Sequence, residues 1–432
     1  MSRSKDRIES TIDRLRTSFE KTPYIKELEA NELESYDTKH DLLLSVIVPA
    51  RNEFPNVVHT VHSILNCWEA DGFDPLDIEI IIVNNCSTDY NDPKYDHSKP
   101  GDRGTTEHLM PRGIYHSRIL RVLYDPIAGN HSARNKGAKI ARGKYLFFSD
   151  AHMAYKPGTF KYGIQTTEET KGLVHTGVAW MGGYPPTPGN VGMGYTLKLG
   201  EDIKSTWNNY RPAEDDYFYI PAQGHCSLFA DRKQFLDFGG YQNVHRSYGG
   251  EFYIDSKWWM FGSSVCVEPR AIGYHLSSGR GYSWNHDNYV ENVLGNAYAL
   301  SMDDWRERTY INQLRRGRKE VLDAMLARNE KEYGEDRAFV ASRKVLSFND
   351  LLTQRPWSAR NMERRGYKND HMLLFHPTWL EMLETNPIAK KAYGESKYQK
   401  QLSDFIVNEL WEFVYHNNEY DPKTLKKLAK TP

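Results

Sequence analysis

Two short apolar runs, separated by a helical repeat, constrain this chain more than any other feature. Leu42-Leu43-Leu44-Ser45-Val46-Ile47-Val48-Pro49 precedes Val57, Val58, Val61, Ile64, Leu65 and Trp68 at helical spacing, and Ile78-Glu79-Ile80-Ile81-Ile82-Val83 follows. Runs of this length, rich in β-branched residues, read as strands buried on both faces. Strand, helix, strand in this order is a βαβ unit, which predicts an α/β fold on a parallel sheet. Ile119–Leu123 and Lys144–Ser149 predict two further strands. Between them, Ser132–Ala141 reads as a helix whose Ala133, Gly137, Ala138 and Ala141 let it lie close to the sheet.

Ligands of open α/β sheets bind beyond the carboxyl ends of the strands. Three polar clusters fall at such ends: Arg51-Asn52-Glu53, Asn84 to Asp89, and Asp150-Ala151-His152. In the last, a carboxylate and an imidazole stand two residues apart, and in an extended segment they point the same way. One oxygen and one nitrogen ligand suit Mn²⁺, or Mg²⁺ in its place, better than Ca²⁺. Such a cation would bridge the phosphates of a nucleoside diphosphate.

The rest of the chain divides by texture. Residues 1–40 are charged, with Ile8, Ile12, Leu15 and Phe19 at helical spacing, and predict an N-terminal helical extension. Residues 41–300 hold the sheet, with a Gly- and Pro-rich stretch after 153, and residues 301–432 turn to helical periodicity. A net charge of -1 removes any global pull toward nucleic acid or anionic membrane. Cys67, Cys86, Cys226 and Cys266 stand too far apart for a structural zinc motif, and their small number suits a reducing cytoplasm. Neither a signal peptide nor a membrane span is expected.

Ala133–Ala138 and Ala141–His152, taken together, resemble the nucleotide-sugar core of GT-A glycosyltransferases, a Rossmann-like fold. Ser45–Glu53 resembles the opening strand of family 2 of these enzymes, and Thr60–Asn66 is similar to the matching helix of the polypeptide N-acetylgalactosaminyltransferases. The same transferases share the later order of Gly224–Phe229, Phe238-Gly239-Gly240-Tyr241, Tyr248-Gly249-Gly250-Glu251 and Glu268–His275. The resemblance covers roughly residues 43–300. It implies metal ligation by Asp150, His152 and His275, and places Glu251 at the sugar or acceptor. It also implies a UDP-sugar donor and retention of configuration; Glu251 or Asp255 would be the general base if the reaction inverts instead.

Donor contacts are expected from Arg51, Asn85 and Asp89 around the base, from Glu53, and from Arg134, which could meet phosphate or a neighbouring strand-end acid. Arg280 and Tyr282 lie on a Gly-rich stretch that could close over the diphosphate. The family has an Arg three residues past the His, where this chain has Ser278, and a paired acid where it has Asn84-Asn85. The acceptor is open between glycan, protein and modified nucleic acid. Arg355, Arg360, Arg364, Arg365 and Lys368, interleaved with Trp357 and Tyr367, suit a hydroxylated DNA base. A non-catalytic nucleotide-sugar or glycan binder on the same scaffold is the competing class. A nucleotidyltransferase is disfavoured, because no Gly-rich basic loop follows the first strand.

Overall fold

The computed structural model describes residues 42–53, 56–85, 119–125, 129–181, 191–199, 203–209, 217–242, 249–276, 286–315 and 317–354. The four strands expected from sequence form one half of the sheet: β1 (Leu44–Ala50), β2 (Ile78–Asn85), β3 (Ile119–Asp125) and β4 (Tyr145–Ser149). They run parallel in the order β3-β2-β1-β4. Alternation along each strand divides the core. Val46, Val48, Ile80, Ile82 and Phe147 pack on one face with Val57, Val61, Ile64 and Trp68 of helix α1 (Asn56–Ala70). Ile47, Ile81, Val83 and Phe148 pack on the other with Ala133 and Ala138 of α2 (Asn130–Ile140). The small residues of α2 are a packing requirement, since a methyl at Gly137 would fall against the side chains of Ile47 and Val83.

The second half of the sheet is antiparallel and mixed, and it brings distant residues to the strand ends. Next in order come β5 (Met153–Tyr155), helix α3 (Thr159–Thr170) and β6 (Leu173–Met181), then β7 (Val191–Leu199), β8 (Ile203–Asn209) and β9 (Phe218–Tyr219). They are followed by β10 (Ser227–Asp231), helices α4 (Arg232–Asp237) and α5 (Glu251–Met260), and β11 (Val265–Leu276). The order continues β4-β10-β6-β11-β5, and β10 runs antiparallel to both β4 and β6. Strand β11 lies parallel to β6 and antiparallel to the three-residue β5, in a register that sets His275 opposite Met153.

Five helices follow: α6 (His286–Ala299), α7 (Asp303–Leu314), α8 (Lys319–Glu332), α9 (Gly334–Arg343) and α10 (Phe348–Gln354). Val290 and Leu294 of α6 form a small apolar cluster with Leu322 and Met325 of α8. Tyr333, Val340, Phe348 and Leu351 instead join the core that α5 lays on the sheet. The helical C-terminal region thus shares its apolar interior with the sheet. The expected N-terminal helix, and everything after residue 354, lie outside the described residues.

Candidate active site at the carboxyl ends of β1 and β4

Asp150, His152 and His275 converge, with one ligand-type atom from each within 4.8 Å of the others. The route differs from the extended segment expected for Asp150-Ala151-His152. Strand β4 ends at Ser149, and residues 150–152 turn the chain into β5. Their side chains meet because the turn is pinned on three sides. The Asp150 N–H donates to the Cys226 carbonyl (2.8 Å), the Met153 N–H to Thr60 Oγ1 (2.9 Å), and the Leu276 N–H to the His152 carbonyl (3.1 Å). The last bond carries His275 to His152.

The hydrogen bonds fix which atoms face the site. His152 Nδ1 lies 3.0 Å from Glu53 Oε1, and a carboxylate can only accept, so Nδ1 carries the proton. The lone pair of neutral His152 is then on Nε2, which lies 3.1 Å from Nε2 of His275. Asp150 Oδ2 is 3.5 Å from the same His275 nitrogen. Two imidazole nitrogens and a carboxylate oxygen turned toward one point fit a divalent cation. The buried Glu53 is the carboxylate that commonly orients a ligating histidine. Burial alone would raise the Asp150 carboxyl, but the adjoining His275 ring and the Arg134 charge hold it well below the usual carboxylate range.

Arg134 reaches the neighbouring strand-end acid. Its guanidinium is 2% exposed, and Nη2 donates both to Asp150 Oδ1 (2.8 Å) and to the His225 carbonyl (2.7 Å). Glu251 opens α5, directly after the left-handed Gly249 (φ 78°) and Gly250. A methyl at Gly250 would fall against His131 Cε1 and Gln242 Nε2, so any larger residue in the turn before Glu251 must displace them. The Glu251 charge acts on Arg134, His225 and Tyr241, which places it beside the same cluster.

Residues 45–183 match the sequence profile of the glycosyl transferase family 2. The chain is also 24% identical over 303 residues to "Probable N-acetylgalactosaminyltransferase 9" of Caenorhabditis elegans, covering 66% of this chain and 49% of that protein. Over 114 residues it is 32% identical to "Putative teichuronic acid biosynthesis glycosyltransferase TuaG" of Bacillus subtilis (strain 168), covering 26% and 37%. The solved structure of GalNAc-T7 with UDP, GalNAc and Mn²⁺ superposes with a TM-score of 0.54 at 16% identity, covering 79% of this chain and 62% of that one. The chain carries a family 2-like GT-A glycosyltransferase domain. It spans about half the length of the worm relative.

Other expected contacts of the GT-A domain fall differently. Asn85 does not present a free amide to a base. Its Oδ1 accepts the Gly129 N–H (2.7 Å) and its Nδ2 donates to Asp125 (3.2 Å), whose other oxygen meets Lys136 (2.5 Å). Asn85 thereby ties β2 to the start of α2. Arg51, at the end of β1, keeps a buried Nε without a hydrogen-bond partner. Asp255 is fully buried on α5, with its oxygens facing His175 and His225 and the Gln223 N–H. Burial opposes its ionisation, but the two imidazoles outweigh it and bring the pKa down to about 2. A carboxylate so enclosed is not placed to take a proton from an acceptor, which corrects its expected role as a base. Asp89, Arg280, Tyr282 and the basic cluster Arg355–Lys368 lie outside the described residues. Sequence reading missed the His152–Glu53 pair and the His175–His225–Asp255 group. Glu53 stood in a recognised strand-end cluster, but no local pattern ties it to a histidine 99 residues on.

Proposed function

We propose that this chain is a divalent-metal-dependent glycosyltransferase that moves a sugar from a nucleotide sugar, UDP-linked by preference, to an acceptor hydroxyl with retention of configuration. The observation that carries this reading is the convergence of Asp150, His152 and His275 over a buried Glu53 at the carboxyl end of a family 2-like sheet. GalNAc-T7 was solved with UDP and Mn²⁺ bound, which supports the choice of donor and metal. The three side chains would hold Mn²⁺ or Mg²⁺, which supplies charge stabilisation to a departing diphosphate.

The protein's own groups divide the remaining work. Arg134 keeps Asp150 ionised and aimed. Glu53 fixes the His152 tautomer that turns Nε2 inward. Arg51, with a buried nitrogen lacking a partner, is the side chain best placed to meet the nucleotide beyond β1. Glu251, at the start of α5, would face the sugar or acceptor. In a retaining front-face displacement the leaving phosphate oxygen takes the acceptor proton, so no strong protein base is required.

A thermal-shift screen of nucleotide sugars with and without Mn²⁺ tests the reading. A ligand at about 100 times its dissociation constant stabilises by roughly 2.7 kcal/mol. A UDP-sugar shift that needs Mn²⁺ and vanishes in Asp150→Ala is expected. Absence of a shift with any nucleotide sugar would sink the proposal. Slow hydrolysis of the same donor separates an enzyme from a non-catalytic binder, and a β-linked product from an α-linked donor would refute retention.

A further inference from the structure

A second group of metal-ligating side chains lies behind the first, in the interior of the sheet-and-helix core. His175 comes from β6, His225 from the segment before β10, and Asp255 from α5. They are 0%, 3% and 0% exposed, and one ligand-type atom of each lies within 4.8 Å of the others. Asp255 Oδ1 is 3.1 Å from His175 Nε2 and 3.2 Å from His225 Nε2. Ligands of a tetrahedral cation, each about 2.0–2.1 Å from it, stand about 3.3 Å apart, so the side chains are already near that spacing.

Hydrogen bonding alone accounts poorly for this arrangement. His175 Nε2 is aligned on the carboxylate. His225 Nε2 is equally near the same oxygen, but off the line that an N–H···O bond requires, and it is buried with no hydrogen-bond partner. An aligned core triad would satisfy that nitrogen. A cation among the three atoms would instead engage its lone pair. It would also neutralise a carboxylate whose other partners are two imidazoles and a peptide N–H, in a site where an unneutralised charge is costly.

The carboxylate ligand is held from behind, whereas Nδ1 of His175 and of His225 is buried without a hydrogen-bond partner. Asp255 Oδ2 accepts the Gln223 N–H (2.8 Å). Gln223 is itself held at both ends, its Oε1 accepting from the Gly194 N–H (2.7 Å) and its Nε2 donating to the Thr176 carbonyl (2.6 Å). Such partners orient the ligand oxygen left facing the cation. Two imidazoles and one carboxylate, fully enclosed, favour a zinc-class ion over Mg²⁺ or Ca²⁺.

We propose that His175, His225 and Asp255 form a second, structural divalent-cation site of the zinc class, which fixes the wall on which the donor site rests. The link between the sites is short. The His225 carbonyl accepts from the Arg134 nitrogen that also holds Asp150, and the Cys226 carbonyl accepts from the Asp150 N–H. A cation on His225 therefore sets the position of the first site without touching the donor.

The test uses the full chain carrying Asp150→Ala and His152→Ala, which disable the first site. After equilibration with Zn²⁺ and removal of free metal, mass spectrometry is expected to find about one zinc per chain. Adding His175→Gln or Asp255→Asn should abolish it, and with it the visible absorption of the Co²⁺-substituted chain. Equal zinc content with and without the added substitution, in chains folded by circular dichroism, overturns the proposal. Should both added variants fail to fold, the chain lacking only Asp150 and His152 decides alone. Bound zinc with a nitrogen-ligated Co²⁺ spectrum supports the site, and no retained metal overturns it. Neither readout depends on the donor or on activity.

Discussion

Glu53 gives the sharpest test of how the first site is built. Its carboxylate is 2% exposed and accepts from His152 Nδ1 at 3.0 Å, and its second oxygen lies 3.4 Å from Asn56 Nδ2. In Glu53→Ala the His152 N–H would be buried without an acceptor, at a cost of about 1–3 kcal/mol. The imidazole could avoid that cost by moving its proton to Nε2, but then it no longer offers a lone pair to a cation. Either way metal binding weakens. Loss of such an outer partner typically lowers metal affinity about 10–100-fold, or about 1.4–2.7 kcal/mol. Glu53→Gln keeps an acceptor oxygen in place and should lose much less. Calorimetric titration with Mn²⁺ reads the difference, with far-ultraviolet dichroism to show that each variant is folded. A folded Glu53→Ala protein that binds Mn²⁺ within twofold of the wild type would refute the assignment. So would a Gln variant as impaired as the Ala variant.

Other perturbations probe neighbouring parts. Arg134→Met removes the donor to Asp150 and to the His225 carbonyl; breaking a fully buried pair costs about 3–5 kcal/mol, and the partial exposure of Asp150 should bring this nearer about 2–3. Because Mn²⁺ would replace the lost positive charge, the deficit in urea unfolding should shrink when Mn²⁺ is added, and an unchanged deficit would count against the cation site. Gly250→Ala places a methyl against His131 Cε1 and Gln242 Nε2, so a loss of about 1–3 kcal/mol is expected, with loss of donor hydrolysis; a variant as stable and active as wild type contradicts the packing described. The hydrogen bonds of Arg337 hold the Asp303 carboxyl below its ordinary value and tie α9 to the start of α7. A depressed carboxyl contributes stability above its unfolded pKa and loses it as pH falls. Asp303→Asn should therefore cost a discounted amount, at most about 1 kcal/mol, near pH 7, and the cost should shrink in urea melts as pH falls below the ordinary carboxylate range.

The amino-acid sequence by itself determined the parallel half of the sheet. Leu44–Ala50, Ile78–Asn85 and Tyr145–Ser149 are strands because apolar runs of that length must be covered on both faces, and that requirement is readable locally; Ile119–Asp125 was legible as a fourth. It also placed Asp150, His152 and Glu53 at strand ends, since the strand ends were visible. What those residues touch was decided only by tertiary structure. His275 meets His152 across 123 positions because β11 pairs with the short strand β5 in one register, and a one-residue slip would turn the imidazole to the other face. Arg134 meets Asp150 because α2 lies close enough to the sheet to bury its side chain. Asp255, on α5, turned inward to two histidines from elements remote in the chain. Periodicity reports which face of an element is buried, and pairing register reports which side chains share that burial. The sequence carries the first in every window of a few residues, while the second exists only once the strands have met.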